Sequence, residues 1–120
     1  MNYIIVVVGL HFCYDLGVES AFGSRLRTDT LVAVARLGPT YTAELARLLE
    51  RRPNEIQRAV ASLESAGLIA SQLLGRTRII ELNAKYVAAE EIAALLLKLS
   101  RLPEYEKRWR AFLAGRTKRR

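Results

Sequence analysis

The chain has 120 residues, 51% of them apolar and 26% charged, which is enough to fold as one small domain but excludes a disordered or collagen-like protein. The formal net charge of +7 favours a polyanionic partner. Most of the excess lies at the C-terminal end, since residues 101–120 carry eight Lys or Arg against two Asp or Glu, whereas residues 25–82 carry nine against six.

An uncharged apolar segment covers residues 3–14. It is shorter than the roughly 20 residues that span a bilayer, and the start lacks the basic residues and cleavage site of a signal peptide. Three interpretations of residues 1–23 stay open. The segment packs on the domain or on a dimer partner, associates with a membrane, or is translated sequence upstream of a start near Val18. We favour the first and the third.

The chain has one cysteine, Cys13, and one histidine, His11. One cysteine excludes an internal disulfide, and these two side chains are too few for a structural zinc site of four ligands. We therefore expect no metal, no cofactor and a reducing, cytoplasmic environment. Catalysis is disfavoured as well, because both residues lie within the apolar segment and no phosphate-binding glycine loop occurs.

The first two predicted helices follow this segment. Ser24 is a suitable N-cap for a helix that ends at Leu37, before Gly38-Pro39, and residues 40–41 can form a short extended segment. Thr42 is then expected to cap a second helix over residues 43–50.

A third helix follows almost at once. Pro53 suits its first position because a proline lacks the N–H that would be unpaired there, and Gly67 is the expected left-handed residue after its last turn, near Ala66. From residue 69 the pattern becomes extended: residues 69–73 and 78–82 predict a β-hairpin with its turn around Gly75.

Two further helices are predicted at the C-terminal end. Residues 87–99 have apolar side chains along one side, and Pro103 starts a last helix whose aromatic face holds Tyr105, Trp109, Phe112 and Leu113. Gly115 is expected to end it, which leaves residues 116–120 as a basic tail. The tail adds nonspecific DNA affinity or is merely a solubilising, disordered end.

The third helix has two different faces. Its inner face holds the apolar residues Ile56, Ala59, Val60 and Leu63, and its outer face holds Asn54, Gln57, Arg58 and Ala61. Asn and Gln can bond adenine, Arg can bond guanine, and Ala allows close approach in a major groove. The alternative is an ordinary solvated surface, which any amphipathic helix has.

Charged residues surround this face. Arg51 and Arg52 precede the helix, where they can contact DNA phosphates, and Glu55 can accept from cytosine, pair with Arg58 or cap the helix; capping or pairing is favoured. The hairpin turn is expected to project Arg76, Thr77 and Arg78, which suits phosphate or minor-groove contacts.

Three motifs in combination resemble the ArsR/MarR-like winged helix-turn-helix regulators. They are TAELARLL at residues 42–49, NEIQRAVASLESAGLI at residues 54–69 and GRTRIIELN at residues 75–83. The resemblance covers residues 24–84 and is to a superfamily. It implies a mainly α fold with a small β-hairpin, in which a winged helix-turn-helix domain is followed by C-terminal helices over residues 85–115.

The resemblance also implies a function, which is sequence-specific binding of double-stranded DNA by a homodimeric transcriptional regulator. It assigns base contacts to the third helix and DNA contacts to the wing. The base contacts fall on Asn54, Glu55, Gln57 and Arg58, and the wing contacts on Arg76, Thr77 and Arg78. Metal-sensing ArsR proteins carry a cysteine pair on the second or third helix, which this sequence lacks, so we do not expect metal sensing. Whether a small effector exists is left open.

The apolar helix of residues 87–99 must cover either its own domain or a second copy. Dimerisation is favoured, through Ile92, Leu95, Leu96 and Leu99, although Trp109 and Phe112 could cover the same surface within the chain. The alternative function is a winged helix for protein association, such as an antitoxin-like protein or the partner of a nucleotidyltransferase. RNA binding ranks third, because few exposed aromatic residues are expected near the outer face.

Overall fold

Five helices and one two-stranded hairpin make up the fold. The structure is a computed structural model that describes the backbone of residues 21–119 and the side chains of residues 21–115, so the expectations for residues 1–20, including His11 and Cys13, lie outside the described residues. The elements in chain order are α1 (Arg25–Leu37), α2 (Thr42–Leu49), α3 (Pro53–Ser65), β1 (Ile69–Leu74), β2 (Thr77–Leu82), α4 (Ala89–Leu99) and α5 (Pro103–Arg119). The predicted fold class, a winged helix-turn-helix followed by C-terminal helices, is confirmed.

The ends of α1 are as the sequence predicts. The Ser24 side chain accepts a hydrogen bond from the backbone N–H of Arg27 at 3.2 Å, and Gly38 follows the helix with φ of 74°. The start of α2 differs by one residue: Thr42 is already helical, and Tyr41 is the N-cap without a side-chain cap. The reason is that Thr40 is held in extended backbone by pairing with Ile80, so the chain turns into the helix directly after Tyr41.

A tight turn joins α2 to α3. Glu50 takes a left-handed conformation with φ of 55°, and α3 begins at Pro53, as predicted. Gly67, with φ of 86°, follows the end of α3, also as predicted. Because only two residues separate Glu50 from Pro53, the first turn of α3 projects beside the end of α2.

The hairpin has a two-residue turn, Gly75 and Arg76, since Leu74 pairs with Thr77 across the antiparallel ladder. Arg78 pairs with Leu73 and belongs to β2. Arg78 thus begins the strand predicted over residues 78–82, one residue later than observed. The expectation that Thr77 lies in the turn is wrong, because the ladder continues to the last residue pair before Gly75.

The core lies where α1, α2, α3 and the base of the hairpin meet. Thr40 and Ile80 exchange two backbone hydrogen bonds, of 2.9 and 2.7 Å, which attach the hairpin to the segment between α1 and α2. The largest fully buried apolar side chains are Leu31, Leu45, Ile56, Leu63, Ile69, Ile80 and Leu96. Each of α1 to α4 and both strands thus contribute to one common core.

Two polar clusters hold α5 against the rest of the domain. The Tyr105 hydroxyl donates to Oδ1 of buried Asp29 at 2.7 Å, and Arg108 reaches the other carboxylate oxygen at 3.3 Å. Burial, and then the hydrogen bond to Asp29, raise the pKa of Tyr105 well above its usual value. In the second cluster, Arg36 donates to Glu106 at 2.6 Å and lies 4.7 Å from the ring centre of Trp109.

The C-terminal helices have different bounds from those predicted. Helix α4 begins at Ala89 and not at Val87, whose side chain is 94% exposed. Helix α5 does not end at Gly115 but continues to Arg119, because a glycine weakens a helix by only about 0.5–1 kcal/mol. Tyr105, Trp109 and Phe112 pack on the core, whereas Leu113 is 40% exposed.

The structure places most of the predicted dimer residues inside their own chain. Leu96 is fully buried, and Ile92 and Leu99 pack against the same core. These three side chains therefore cover their own domain and not a second copy. The physical reason is that they form the stripe of α4 that faces α1. Of the four predicted dimer residues, Leu95 is the exposed one, at 44%. Among the described helices, none combines the length and the hydropathy needed to cross a bilayer.

Replacing Leu96 should therefore affect stability much more than replacing its neighbour. Leu96→Ala should lower the free energy of unfolding by about 2–5 kcal/mol, because it leaves a cavity in the core. Leu95→Ala, the matched control, should cost less than about 1 kcal/mol because the side chain is already partly in water. Urea unfolding of both variants measures the difference, and equal losses would contradict this assignment of the two faces of α4.

Candidate nucleic-acid interface

The two faces of α3 are separated as the sequence predicts. Ile56, Ala59, Val60 and Leu63 are buried, whereas Asn54, Gln57, Arg58 and Ala61 are exposed. The outer face of α3, meaning these four exposed residues, has no cover from any other part of the described chain. Amide, guanidinium and small apolar groups are thus presented together along one side of a helix.

The residues before and within the first turn of α3 form an ion pair. Arg51 Nη1 lies 3.5 Å from Glu55 Oε2, one helical turn away. The expected pairing of Glu55 is therefore present, but with Arg51 and not with Arg58, and Glu55 does not cap the helix. Arg52, before the helix, and Arg58, in its second turn, are further exposed cations.

A chain of hydrogen bonds links the hairpin to the end of α3. Arg78 Nη1 donates to Ser71 Oγ at 2.9 Å, and Ser71 Oγ donates to Glu64 Oε2 at 2.7 Å. Glu64 lies seven residues after Gln57, and therefore on nearly the same side of α3 as the outer face. Arg78 and the outer face of α3 are consequently brought to one side of the domain.

Sequence reasoning missed Ser71 and Glu64. The signal that could have found them is spacing: Ser71 is two residues before Leu73, the partner of Arg78, and so points to the same face of the hairpin, while Glu64 continues the strip of Gln57 and Ala61. What the sequence could not give is the angle at which the hairpin meets α3, which brings the two strips together.

The remaining wing residues are placed differently. Arg76 is exposed in the turn at the tip of the hairpin. Thr77 is exposed too, but it pairs with Leu74, and alternation along the strand turns it to the face opposite that of Arg78. The structure thus brings Arg78, and not Thr77, to the side of α3, while Arg76 stands at the tip.

The arrangement is an exposed surface suited to binding a polyanion. Its cations are guanidinium groups that remain in water, where each can contact a phosphate or a base edge without prior desolvation. Its carboxylates, Glu55 and Glu64, are engaged by Arg51 and Ser71. Within the described part of the chain, no group of three His, Cys, Asp or Glu residues is placed to hold a metal ion.

Comparison with known proteins decides the family. A model of the HVO_A0114 family matches residues 24–89, which is 66 of the 120 residues. The chain belongs to the HVO_A0114 family. The matched region runs from the N-cap of α1 to the first residue of α4, so the HVO_A0114 region contains the whole helix-helix-helix-hairpin unit. No curated protein sequence matches the chain significantly.

Solved structures with similar folds include three transcription regulators. A probable transcriptional regulator from Pseudomonas aeruginosa is 23% identical, with 95% of this chain and 94% of that chain covered and a TM-score of 0.54. Adhesin competence repressor from Streptococcus pyogenes is 15% identical over 96% and 84% of the two chains, with a TM-score of 0.58. A mutant of S. aureus MepR bound to an oligodeoxyribonucleotide is 16% identical over 98% and 95%, with a TM-score of 0.56.

At these identities the similarity establishes the fold of this HVO_A0114 family member. The resemblance to ArsR/MarR-like winged-helix regulators, inferred from three motifs, is confirmed at that level. Two of the similar structures are described as a probable transcriptional regulator and as a transcription regulator of a multidrug efflux pump.

Proposed function

We propose that this protein binds double-stranded DNA as a sequence-specific transcription regulator, with α3 in the major groove and the hairpin on the backbone or minor groove. The observation that carries the proposal is the uncovered outer face of α3 on the same side of the domain as Arg78, fixed there through Ser71 and Glu64. A helix can read bases only if its polar face is free, and a wing can help only if it reaches the same duplex.

The side chains divide into two tasks. Asn54, Gln57 and Arg58 have the donors and acceptors that read base edges, and Ala61 leaves room for a thymine methyl group. Arg52, before α3, and Arg76, at the tip of the hairpin, are placed to contact phosphates. Arg51 contributes less net charge, because Glu55 neutralises it in the free protein.

The DNA-bound MepR mutant supports this proposal, since its fold is shared over almost the whole chain. We also propose a cytoplasmic location, in line with a sequence whose single cysteine forms no internal disulfide.

We also propose that the protein is a homodimer, so that two copies of α3 meet a palindromic site. The predicted contacts of Ile92, Leu96 and Leu99 are used inside the chain, which leaves a different strip of α4. This strip, which we call the α4 outer strip, consists of the exposed residues Glu90, Ala94, Leu97 and Arg101, with Leu97 43% exposed. Ser100 is still in helical conformation, and Arg101 follows in a tight turn in which its backbone N–H donates to the Lys98 carbonyl at 3.2 Å.

The α4 outer strip is complementary to itself. Its residues are spaced by four, three and four, as on one side of a helix. When two copies of α4 run antiparallel about a twofold axis between residues 95 and 96, Glu90 faces Arg101 of the second copy and Ala94 faces Leu97. A twofold dimer requires a patch of this kind, which pairs with its own copy.

Two substitutions separate base reading from backbone binding. Arg58→Ala should cost about 1–3 kcal/mol on the preferred duplex and relax the preference at one base position, since the guanidinium no longer reads a base edge. Arg76→Ala should weaken binding to all duplexes alike and reduce the salt dependence by about one charge.

Selection of bound fragments from random DNA, followed by fluorescence anisotropy at several salt concentrations, measures both effects. Arg110→Ala, at an exposed arginine on α5, is the control and should leave the sequence preference unchanged. The proposal fails if selection with the unmodified protein enriches no motif and its affinity does not depend on salt.

Charge reversal tests the dimer. Glu90→Arg alone and Arg101→Glu alone should each weaken dimerisation about tenfold or more, because like charges then meet at two symmetric places. The double variant E90R/R101E should restore it. Sedimentation velocity measures the dimer constant in the absence of DNA.

Glu91→Arg is the matched control, since it changes the same charge in the same turn of α4 but outside the α4 outer strip. A double variant no better than the single ones, or a monomeric unmodified protein at micromolar concentration, would rule out this interface.

A further inference from the structure

Two adjacent leucines near the tip of the hairpin are largely exposed. The side chains of Leu73 and Leu74 are 64% and 69% exposed. Among the described large apolar residues, only Val87 has a larger exposed fraction. Both lie just before the turn, and a Cβ added at Gly75 would meet no atom within 4 Å, so the tip stands clear of the domain. Isolated exposed leucines are common, but two in succession on a projecting tip indicate a contact surface.

The ladder shows which way each leucine points. Leu73 pairs with Arg78 and shares its face of the hairpin, together with Ser71. Since Ser71 bonds Glu64 of α3, Leu73 lies on the side of the outer face of α3. Leu74 pairs with Thr77 and lies on the opposite face.

Cations border the leucines. Arg76 follows Leu74 in the turn, and Arg78 lies directly across the ladder from Leu73. The one carboxylate on this side near the hairpin, that of Glu64, is engaged by Ser71. An apolar tip with a basic border matches a surface with an apolar interior and an anionic border. The minor groove has this character, with sugars and base edges between two rows of phosphates.

We propose that Leu73 and Leu74 form an apolar wedge that enters the minor groove under the hairpin and kinks the duplex. This inference rests on the proposed DNA-binding function and adds a mode of recognition to it. Leu73 is the inserted side chain, because it shares the side of α3, while Leu74 packs against the sugars of the groove wall. Arg76 and Arg78 contact the phosphates on either side.

The wedge has a consequence for sequence preference. Separating two stacked bases costs a few kcal/mol, and it costs least at flexible pyrimidine–purine steps such as TA and CA. Such steps are therefore expected to be enriched under the hairpin, at positions where no side chain reads a base by hydrogen bonds. A second copy of the chain does not fit this tip, because the arginines of two tips would repel each other.

The test measures the shape of the bound DNA. The probe is a short duplex, enriched from random DNA by the full chain, with a donor dye and an acceptor dye at its two ends. A kink brings the ends together, so binding of the unmodified protein should raise the energy-transfer efficiency. A 2-aminopurine at the step under the hairpin should also become brighter, because the base loses its stacking.

Leu73→Thr, Leu74→Thr and the double variant L73T/L74T are compared with Leu95→Thr. Threonine suits the strand positions 73 and 74, and all three leucines are exposed, so the variants should fold; thermal unfolding checks this. The double variant should lose both the energy-transfer rise and the 2-aminopurine signal yet keep its salt dependence, because both arginines remain. Leu73→Thr should lose more of the signal than Leu74→Thr, and Leu95→Thr should lose none.

Three outcomes overturn the inference in distinguishable ways. Binding of the unmodified protein without a change in either signal excludes a kink, while the proposed function stands. If the double variant bends DNA normally, the leucines do not cause the kink. Their partner would then be an acidic protein surface and not DNA. A complete absence of duplex binding by the unmodified protein overturns the proposed function together with the wedge.

Discussion

The geometry of the interface depends on how the hairpin is attached to the helices. Ile80 is fully buried, and its backbone exchanges two hydrogen bonds with Thr40, in the segment between α1 and α2. This attachment fixes the base of the hairpin, and the bonds from Glu64 through Ser71 to Arg78 fix its direction relative to α3. If Thr40 did not pair with Ile80, the hairpin would lack a fixed position against the core. Ser71 would then not be held within reach of Glu64.

The C-terminal helices are attached by a different kind of interaction. Helix α4 contributes an apolar stripe, with Leu96 at its centre, whereas α5 is held largely by the polar contacts of Asp29 and Arg36 in addition to its aromatic residues. Buried polar contacts depend strongly on geometry, because a donor or acceptor left without a partner is costly. They therefore specify one position of α5, whereas apolar contacts alone would tolerate several.

Much of this fold can be predicted from sequence, because specific residues mark where the helices begin and end. Ser24, Pro53 and Gly67 mark helix boundaries through the chemistry of capping, and the 3.6-residue period separates the faces of α3. The two errors have different causes. A tertiary contact, the pairing of Thr40 with Ile80, shifts the start of α2, whereas α5 continues past Gly115 because a single glycine is a weak stop signal.

The candidate interface is only partly readable in this way. Exposure of Asn54, Gln57 and Arg58 follows from periodicity, but the partner of Glu55 and the role of Ser71 depend on the positions of side chains in space. The apolar stripe of α4 is a second example of what sequence cannot show. Periodicity indicates that Ile92, Leu96 and Leu99 are buried, but it cannot tell whether they pack on their own domain or on a second copy.

The hairpin is anchored to the core only near its base. Ile80 pairs with Ser71, and every residue from Gln72 to Arg78, beyond that pair, is exposed. The outer half of the hairpin can therefore bend to follow grooves of different width while the core stays undisturbed. For the same reason, residues at its tip can be exchanged during evolution at little cost in stability, which allows target preference to diverge faster than the fold.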